Sequence, residues 1–235
     1  MSGESEVSSK CTQSFLDHAF PPCWLIQTEF VTITKNFIPP GFTARKPGHE
    51  DRLNLMPEGE LAITLEHFEA GFRIPLWLEL RQALRYYGVV PAQLNPNSIS
   101  LLVAFACYMR AERIEFNLSI FRKLFNFRAK GGSVFLSGQW VKMAGLANMH
   151  HHFAERFVFI AGSFSNIPLA PIQYDDVIYK PPTLGEREGA LVEFFGSKVF
   201  DVPFLRWDLE ALQPVPPGEC NFLDLTCESL FRGKD

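Results

Sequence analysis

The sequence lacks any continuous apolar run of about 20 residues, the length that a membrane-spanning helix requires. It also lacks a strong excess of charge, since 22 Lys and Arg stand against 26 Asp and Glu, a formal net charge of -4. This balance excludes a histone-like polycation that coats nucleic acid along its whole surface. With 47% hydrophobic and 20% charged residues, the 235-residue chain is typical of a folded globular protein of one large or two small domains.

Cysteine is scarce, and none of the five cysteines stands in the C-x-x-C spacing of a zinc ribbon. An odd number of cysteines in a chain of this length also argues against a disulfide framework. Residues 1–10 are polar and acidic, without the basic start and apolar core of a signal peptide. We therefore expect an intracellular protein, in the nucleus or the cytoplasm, whose Cys107 is a small core residue.

The first half of the chain has signals for helices and one ambiguous segment. Residues 29–38 are β-branched and partly alternating, which fits either a short strand or a helix. Apolar spacing predicts a helix that begins near Leu61 and a second that opens at Pro75 and ends at Gly88. Gly71 separates the two, because a glycine readily takes the left-handed conformation after a helix.

Two asparagines mark the helices that follow. Asn95 with Pro96 predicts an N-cap and a first turn, and the helix then runs to about Arg113. This helix is apolar on nearly all sides, so we expect it to lie at the centre of the core. Asn117 is expected to cap a further helix that extends to Phe125.

Beyond residue 130 the pattern changes to short β-branched and aromatic runs. These predict strands at 133–136 and 157–161. Further helices are expected at 187–200, around 203–212 and at 222–231, the last of these alternatively a loose tail.

Together the elements predict an α+β fold that is mainly α, with a multi-helix core and a small accessory β-sheet in a single domain. The helices between 61 and 127 would form the core, and a sheet between 133 and 161 would pack beside them. We place the domain at residues 29–212, between a flexible segment at 1–28 and a tail or short helix at 213–235.

Several motifs in a fixed order carry a resemblance to a known family. They are Met56–Glu60, Glu66–Leu76, Leu84–Asn97, Phe121–Phe125 and Arg156–Phe159. Their combination resembles the plant domain described as "putative gypsy-type transposon", found in proteins labelled transposases or retrotransposon proteins, over about residues 29–200. The chain departs from the commoner pattern at 148–153, where three histidines replace a Trp/Lys-rich stretch.

The resemblance implies a transposable-element domain without established catalytic residues. Its glycines, prolines and apolar positions all have a role in folding, so the motifs describe a fold rather than an active site. Our first hypothesis is a non-catalytic structural or interaction domain that acts through its surfaces, by self-association or by loose nucleic-acid contact. The alternatives are a divergent metal-dependent transposase or nuclease, and a degenerate fragment without retained activity.

A basic segment supplies the candidate nucleic-acid contacts. Its six cations are Arg110, Arg113, Arg122, Lys123, Arg128 and Lys130. With only Glu112 and Glu115 against them, the segment carries +4 while the rest of the chain carries -8. Such a surface could hold a phosphate backbone weakly and without sequence preference. The alternative is a solvated amphipathic helix whose interleaved phenylalanines at 116, 121, 125 and 127 lie in the core.

Other clusters do not have the spacing of a catalytic or metal site. The run His150–His152 consists of neighbours whose side chains point in different directions, so we read it as an exposed loop and predict no metal. A transposase of the nuclease type needs converging carboxylates that hold metal ions. The available carboxylates are Asp51, Asp175, Asp176, Glu193 and Asp201. They stand in no recognisable order, and we predict no cofactor, no small-molecule substrate and no membrane contact.

Overall fold

The computed structural model describes residues 15, 17–130, 133–139, 141–146, 152–164 and 182–201. The helices are α1 (Gln27–Phe37), α2 (Leu65–Glu69), α3 (Leu78–Tyr87), α4 (Pro96–Ala111), α5 (Leu118–Leu124) and α6 (Glu186–Gly196). The strands are β1 (Thr43–Arg45), β2 (Glu60–Thr64), β3 (Phe125–Lys130), β4 (Ser133–Gly138), β5 (Lys142–Ala144), β6 (Phe157–Ala161) and β7 (Val199–Asp201). Short 3-10 turns stand at Pro91–Gln93 and Phe153–Glu155. The helices predicted at 203–212 and 222–231 lie outside the described residues.

The strands form three small sheets. In the first, β6 lies between β1 and β2 and is antiparallel to both, with Ile160 opposite Ala44 on one side and Leu61 on the other. The second is the antiparallel hairpin of β3 and β4, and the third pairs β5 with β7 in parallel. A mainly helical α+β fold is therefore confirmed, but the expected single sheet between 133 and 161 is wrong. Strand β6 pairs with strands about 100 residues earlier in the chain rather than with β4.

Strand β6 separates two clusters of buried side chains. Successive side chains of a strand point to opposite faces. Val158 and Ile160 accordingly join the cluster that contains α3, α4 and α5. Phe157 and Phe159 join a smaller cluster on the other face of the strand, with Phe15 from the start of the described chain.

Helix α4 lies inside the larger cluster, as its apolar sequence predicts. Most of its residues are buried, Cys107 included. The ring of Phe105 is completely buried, and its centroid lies 5.4–6.2 Å from those of four other phenylalanines. These four are Phe116, Phe121, Phe125 and Phe195. The ring cluster thus joins α4 to α5, to the start of β3 and to α6.

The predicted helix boundaries near the caps are confirmed. The side chain of Asn95 accepts the backbone N–H of Asn97 at 2.9 Å at the start of α4. That of Asn117 accepts two N–H groups, from Ser119 and Ile120, at the start of α5. Gly88 ends α3 with a left-handed φ of 63°. These local signals determine where the helices begin and end because they satisfy backbone groups within a few residues.

Three local predictions need correction, and one open alternative is decided. Leu61 stands in strand β2 rather than in a helix, because 61–63 are buried on both faces between β6 and the neighbouring turn. The helix expected from Pro75 begins at Leu78, after Trp77 in an extended conformation. For the ambiguous segment 29–38 the helix alternative is confirmed, since residues 29–37 lie in α1 and Ile38 follows it in an extended conformation. Phe125 begins β3 instead of ending α5.

The later helix is also shorter than expected. Helix α6 ends at Gly196, and the last two residues that the prediction assigned to it, Val199 and Phe200, belong to strand β7. The parallel pairing of β7 with β5 spans 57 residues of sequence. A strand whose partner is so distant has no signal in its own neighbouring residues. The apolar spacing alone therefore predicted that the helix continues beyond Gly196.

Candidate nucleic-acid interface

The six predicted cations occupy different environments, and Arg110 is half-buried and paired with a carboxylate. At the end of α4, its guanidinium donates two hydrogen bonds, at 2.9 and 2.5 Å, to Oε1 of Glu79 in the first turn of α3. The Glu79 side chain is only 8% exposed. Arg110 therefore holds α3 against α4 and neutralises a buried carboxylate, a role that the sequence pattern did not suggest.

Arg113 is exposed and has an unusual backbone. It follows α4 with a φ of +56°, the one positive φ among the described residues other than glycine. Its N–H bonds to the carbonyl of Arg110, and the N–H of Ile114 bonds to that of Met109. These two bonds define a Schellman ending, whose left-handed position is most often glycine. The fold therefore presents a cation to solvent at a position that costs strain for any side chain.

Arg122 and Lys123 lie in the last turn of α5, next to an aromatic group from α3 and β3. The guanidinium carbon of Arg122 lies 4.5 Å from the ring centroid of Tyr86. Tyr86 meets Tyr87 edge to face, and Tyr87 stacks on Phe127 of β3 at 4.2 Å. Burial raises the pKa of Tyr87 far above its usual value, so this phenol stays neutral. Arg122 and Lys123 are half-buried.

Arg128 is exposed on strand β3, next to the half-buried Phe127. Lys130 ends the same strand, and its side chain lies outside the described residues. Of the four interleaved phenylalanines, Phe121 and Phe125 are fully buried, as the apolar-stripe interpretation predicts. The aromatic residues of the segment thus divide between the core and the half-buried ring group beside Arg122.

An open cleft of about 900 Å³ lies beside this ring group. One wall comes from α3 with Gln82, Arg85 and Tyr86, and the opposite wall comes from the first half of α6 with Arg187. The loop 114–119 between α4 and α5 closes one side. We call this feature the α3–α6 cleft. Its volume falls within the roughly 300–1,000 Å³ of small-ligand sites.

Glu188 also lines the cleft, and its carboxylate accepts two hydrogen bonds. Its Oε2 accepts the N–H of Gly185 at 3.0 Å, and its Oε1 accepts Nδ2 of Asn117 at 2.8 Å. The bond from the Gly185 backbone, helped by the bond from Asn117, lowers the pKa of Glu188. This carboxylate therefore links the start of α6 to the cap of α5.

A partly buried cluster of three charged side chains, which the sequence patterns did not predict, lies next to strand β6. Arg156, just before β6, donates to Oε1 of Glu66 through two nitrogens and to Oε1 of Glu29 at 3.2 Å. The Glu66 side chain is 2% exposed. Burial raises the pKa of Glu66 although Arg156 opposes that shift. The cluster joins α1 and α2 to the residue before β6. In the sequence, only the motifs Glu66–Leu76 and Arg156–Phe159 drew attention to two of these residues.

His67 is completely buried and acts as a structural tie. Its Nδ1 accepts the N–H of Thr64 at 3.2 Å, so Nε2–H donates to the carbonyl of Leu94 at 2.7 Å. The Thr64 hydroxyl in turn accepts the N–H of His67, which completes a capping box at the start of α2. Burial lowers the pKa of His67 to about 4, and the imidazole is neutral at physiological pH.

The histidines and carboxylates that were considered as metal ligands do not converge in the part of the chain that the structure describes. Asp51 pairs with Arg45, Glu193 is exposed on α6, and exposed His152 bonds to Glu155. The other candidates lie outside the described residues or have side chains that do. They are His150, His151, Asp175, Asp176 and Asp201. Among the described residues, no group of three or more His, Cys, Asp or Glu side chains could hold a metal ion.

No helix within the described ranges is both long and apolar enough to cross a membrane. The longest of them, α4, has 16 residues.

Comparison with known proteins supports the resemblance drawn from the motifs. A family model described as "Putative gypsy type transposon" matches residues 62–129, less than a third of the chain. The matched region runs from β2 through α2, α3, α4 and α5 into β3, and it contains five of the six candidate cations. No curated protein and no solved structure matches the chain.

Proposed function

We propose that the chain, whose residues 62–129 match the gypsy-type transposon family model, is a non-catalytic domain of a transposon protein that holds nucleic-acid backbone through its basic segment, residues 110–130. The bounds of the domain, 29–212, belong to the same proposal. Binding of this kind neutralises phosphates and releases counterions, so it is weak, independent of sequence and sensitive to salt.

The observation that carries this proposal is the position of Arg113. The chain places an exposed arginine at a left-handed helix ending, where a glycine would avoid about 1 kcal/mol of backbone strain. The side chain does not repay that cost by burial, because it is exposed. Strained residues that folding does not require point to a role in binding.

The distribution of the other charges supports the same reading. Glu66, Glu79 and His67 are the buried titratable groups that hold elements together, and each has a partner within the fold. The cations at Arg113 and Arg128 are exposed instead. A surface of exposed cations suits phosphate contact, whereas the buried groups serve the tertiary structure.

Fluorescence anisotropy with a labelled DNA duplex, across a salt series from about 50 to 200 mM, tests this proposal. We expect the logarithm of the association constant to fall linearly with the logarithm of salt, with a slope between about -2 and -4 for a few phosphate contacts. The double variant Arg113→Gln/Arg128→Gln should bind more weakly and reduce that slope by about 2.

The matched control is Lys35→Gln/Lys46→Gln, which removes two exposed cations from α1 and from the residue after β1. It should bind as the unaltered chain does. Equal losses in both double variants, or no binding at about 50 mM salt, would overturn the proposed surface. Cleavage of the labelled DNA in the presence of Mg²⁺ would contradict the non-catalytic role.

A further inference from the structure

The α3–α6 cleft has two cations without an ion-pair partner in the part of the chain that the structure describes. Arg85, in the last turn of α3, and Arg187, in the first turn of α6, line it from opposite walls and are both exposed. Neither guanidinium has a carboxylate within 4 Å among the described residues. The lining also contains two carboxylates, Glu115 and Glu188, of which Glu188 is held by hydrogen bonds from Gly185 and Asn117.

The placement of Arg187 has no structural advantage for its own helix. A helix N-terminus carries partial positive charge, which favours anions in the first turn and disfavours cations. Glu186 and Glu188 follow that rule in α6, and Arg187 between them does not. Together with Arg85 on the facing wall, it gives the cleft two cations that are suited to an anionic occupant.

Aromatic and apolar surface completes the lining. Tyr86 lies on the α3 wall under the guanidinium of Arg122, and Phe116 stands on the connecting loop. Both rings are half-buried, with part of each exposed. Ile114 and Leu191 add further apolar surface. Flat rings and two cations in one cleft match a ligand that alternates flat apolar groups with anions.

We propose that the α3–α6 cleft binds a segment of single-stranded nucleic acid, with phosphates against Arg85 and Arg187 and a base against Tyr86 or Phe116. This inference rests on the proposed function and adds to it the strandedness of the ligand and a second contact surface. Bases in a duplex are stacked on one another, so their faces meet a protein ring only when the strand is unpaired. The basic segment holds backbone of either form, and the cleft selects the single strand.

Anisotropy with labelled oligothymidylate of about ten nucleotides, and with its duplex, tests the cleft. Arg85→Gln/Arg187→Gln should weaken single-strand binding at least about ten-fold and leave duplex binding within about two-fold, because the cleft takes no part in duplex contact. Lys35→Gln/Lys46→Gln is again the matched control and should change neither affinity.

A second pair of variants reports on the ring. Tyr86→Phe keeps the aromatic face and should bind the single strand as before, whereas Tyr86→Leu should weaken it about ten-fold. Ultraviolet crosslinking of a bromouridine-substituted strand should label a peptide from 82–86 or 114–118. Far-ultraviolet circular dichroism and thermal melting of each variant show that the fold is retained.

The outcomes separate this inference from the proposed function. If Arg85→Gln/Arg187→Gln binds the single strand normally while Arg113→Gln/Arg128→Gln loses duplex affinity, the cleft proposal is wrong and the basic surface remains. If single-strand binding depends on the cleft while duplex binding is absent, the basic surface is wrong and the cleft remains. Equal loss of single-strand and duplex affinity in the cleft variant would overturn selection by the cleft. An acidic peptide that competes fully with the oligonucleotide but is insensitive to Tyr86→Leu would identify a peptide site and also overturn it.

Discussion

Arg113 follows helix α4 in the same left-handed conformation in which Gly88 follows helix α3, with φ angles of 56° and 63°. The next N–H turns back in both places. That of Val89 bonds to the carbonyl of Leu84 at 3.2 Å, and that of Ile114 bonds to the carbonyl of Met109 at 2.8 Å. Both helices therefore end with a left-handed residue followed by the same turned-back bond, once with the residue that suits this conformation and once with an arginine.

Replacing Arg113 with glycine should stabilise the protein and weaken nucleic-acid binding at the same time. Relief of the left-handed strain is worth about 0.5–1 kcal/mol in the free energy of unfolding, measured by urea denaturation. Loss of the guanidinium should lower duplex affinity in the salt series. A variant that gained stability and kept its full affinity would remove Arg113 from the binding surface.

Gly88→Ala provides the comparison for that experiment. Alanine at this left-handed position should lower the free energy of unfolding by about 1 kcal/mol without a gain elsewhere. Opposite signs for the two substitutions are expected from the shared backbone geometry. If both substitutions stabilised the protein, the left-handed conformation would not be the cause.

Removing Arg156 should destabilise the protein by leaving a buried carboxylate without its partner. Arg156→Leu is expected to cost about 2–3 kcal/mol in the free energy of unfolding, less than the roughly 3–5 kcal/mol for a fully buried pair because the arginine side chain is 36% exposed. Adding Glu66→Gln should recover part of this loss, since a neutral amide is cheaper to bury. A double variant that was less stable than Arg156→Leu would contradict this account.

Because of His67, the free energy of unfolding should fall as the solution becomes more acidic. The pKa of this imidazole is about 4 in the folded state and near its ordinary 6.5 in the unfolded chain. Between these values the unfolded chain binds the extra proton. The contribution is therefore complete above pH 6.5 and is lost as the pH falls towards 4, by at most about 1.4 kcal/mol per pH unit.

His67→Gln is the variant that isolates this effect. Glutamine can take the same place in the capping box with Thr64 but has no proton to gain in this range. The difference in unfolding free energy between the unaltered chain and the variant should shrink from pH 7 to pH 4. A difference that stays constant over that range would show that the imidazole does not titrate on unfolding.

Truncating Phe105 should be the most damaging single change in the helical core. Its ring is completely buried among four other phenylalanine rings, so Phe105→Ala should cost about 3–5 kcal/mol in thermal or urea denaturation. Phe194 of α6 is 36% exposed, and Phe194→Ala should cost less than about 1 kcal/mol. Comparable losses at the two positions would contradict the packing seen here.

The local signals in the sequence predicted the helix ends well. Asn95, Asn117 and Gly88 each satisfy backbone groups within a few residues, so their effect does not depend on the rest of the fold. Strand β2 shows the opposite case. Its run Leu61–Ile63 is apolar at successive positions, a pattern that does not distinguish a buried strand from a buried helix.

The candidate binding surface was predictable only in part. The sequence showed the charge of the basic segment, and the family-model match over residues 62–129 confirmed the resemblance that the motifs indicated. The sequence could not show that the guanidinium of Arg110 pairs with the carboxylate of Glu79, 31 residues away. Nor could it indicate the α3–α6 cleft, because Arg85 and Arg187 stand about 100 residues apart and carry no pattern in common.

The sequence by itself determined the composition of the core, the helix caps, the basic segment and the mainly helical α+β class, because these depend on side-chain chemistry and on contacts within one turn. Only the tertiary structure decided the pairing of β6 with β1 and β2, the Glu66–Arg156 pair and the burial of His67. Each of these joins residues 27 or more positions apart. The free energy of such contacts depends on what the whole fold brings together, and no single segment contains that information.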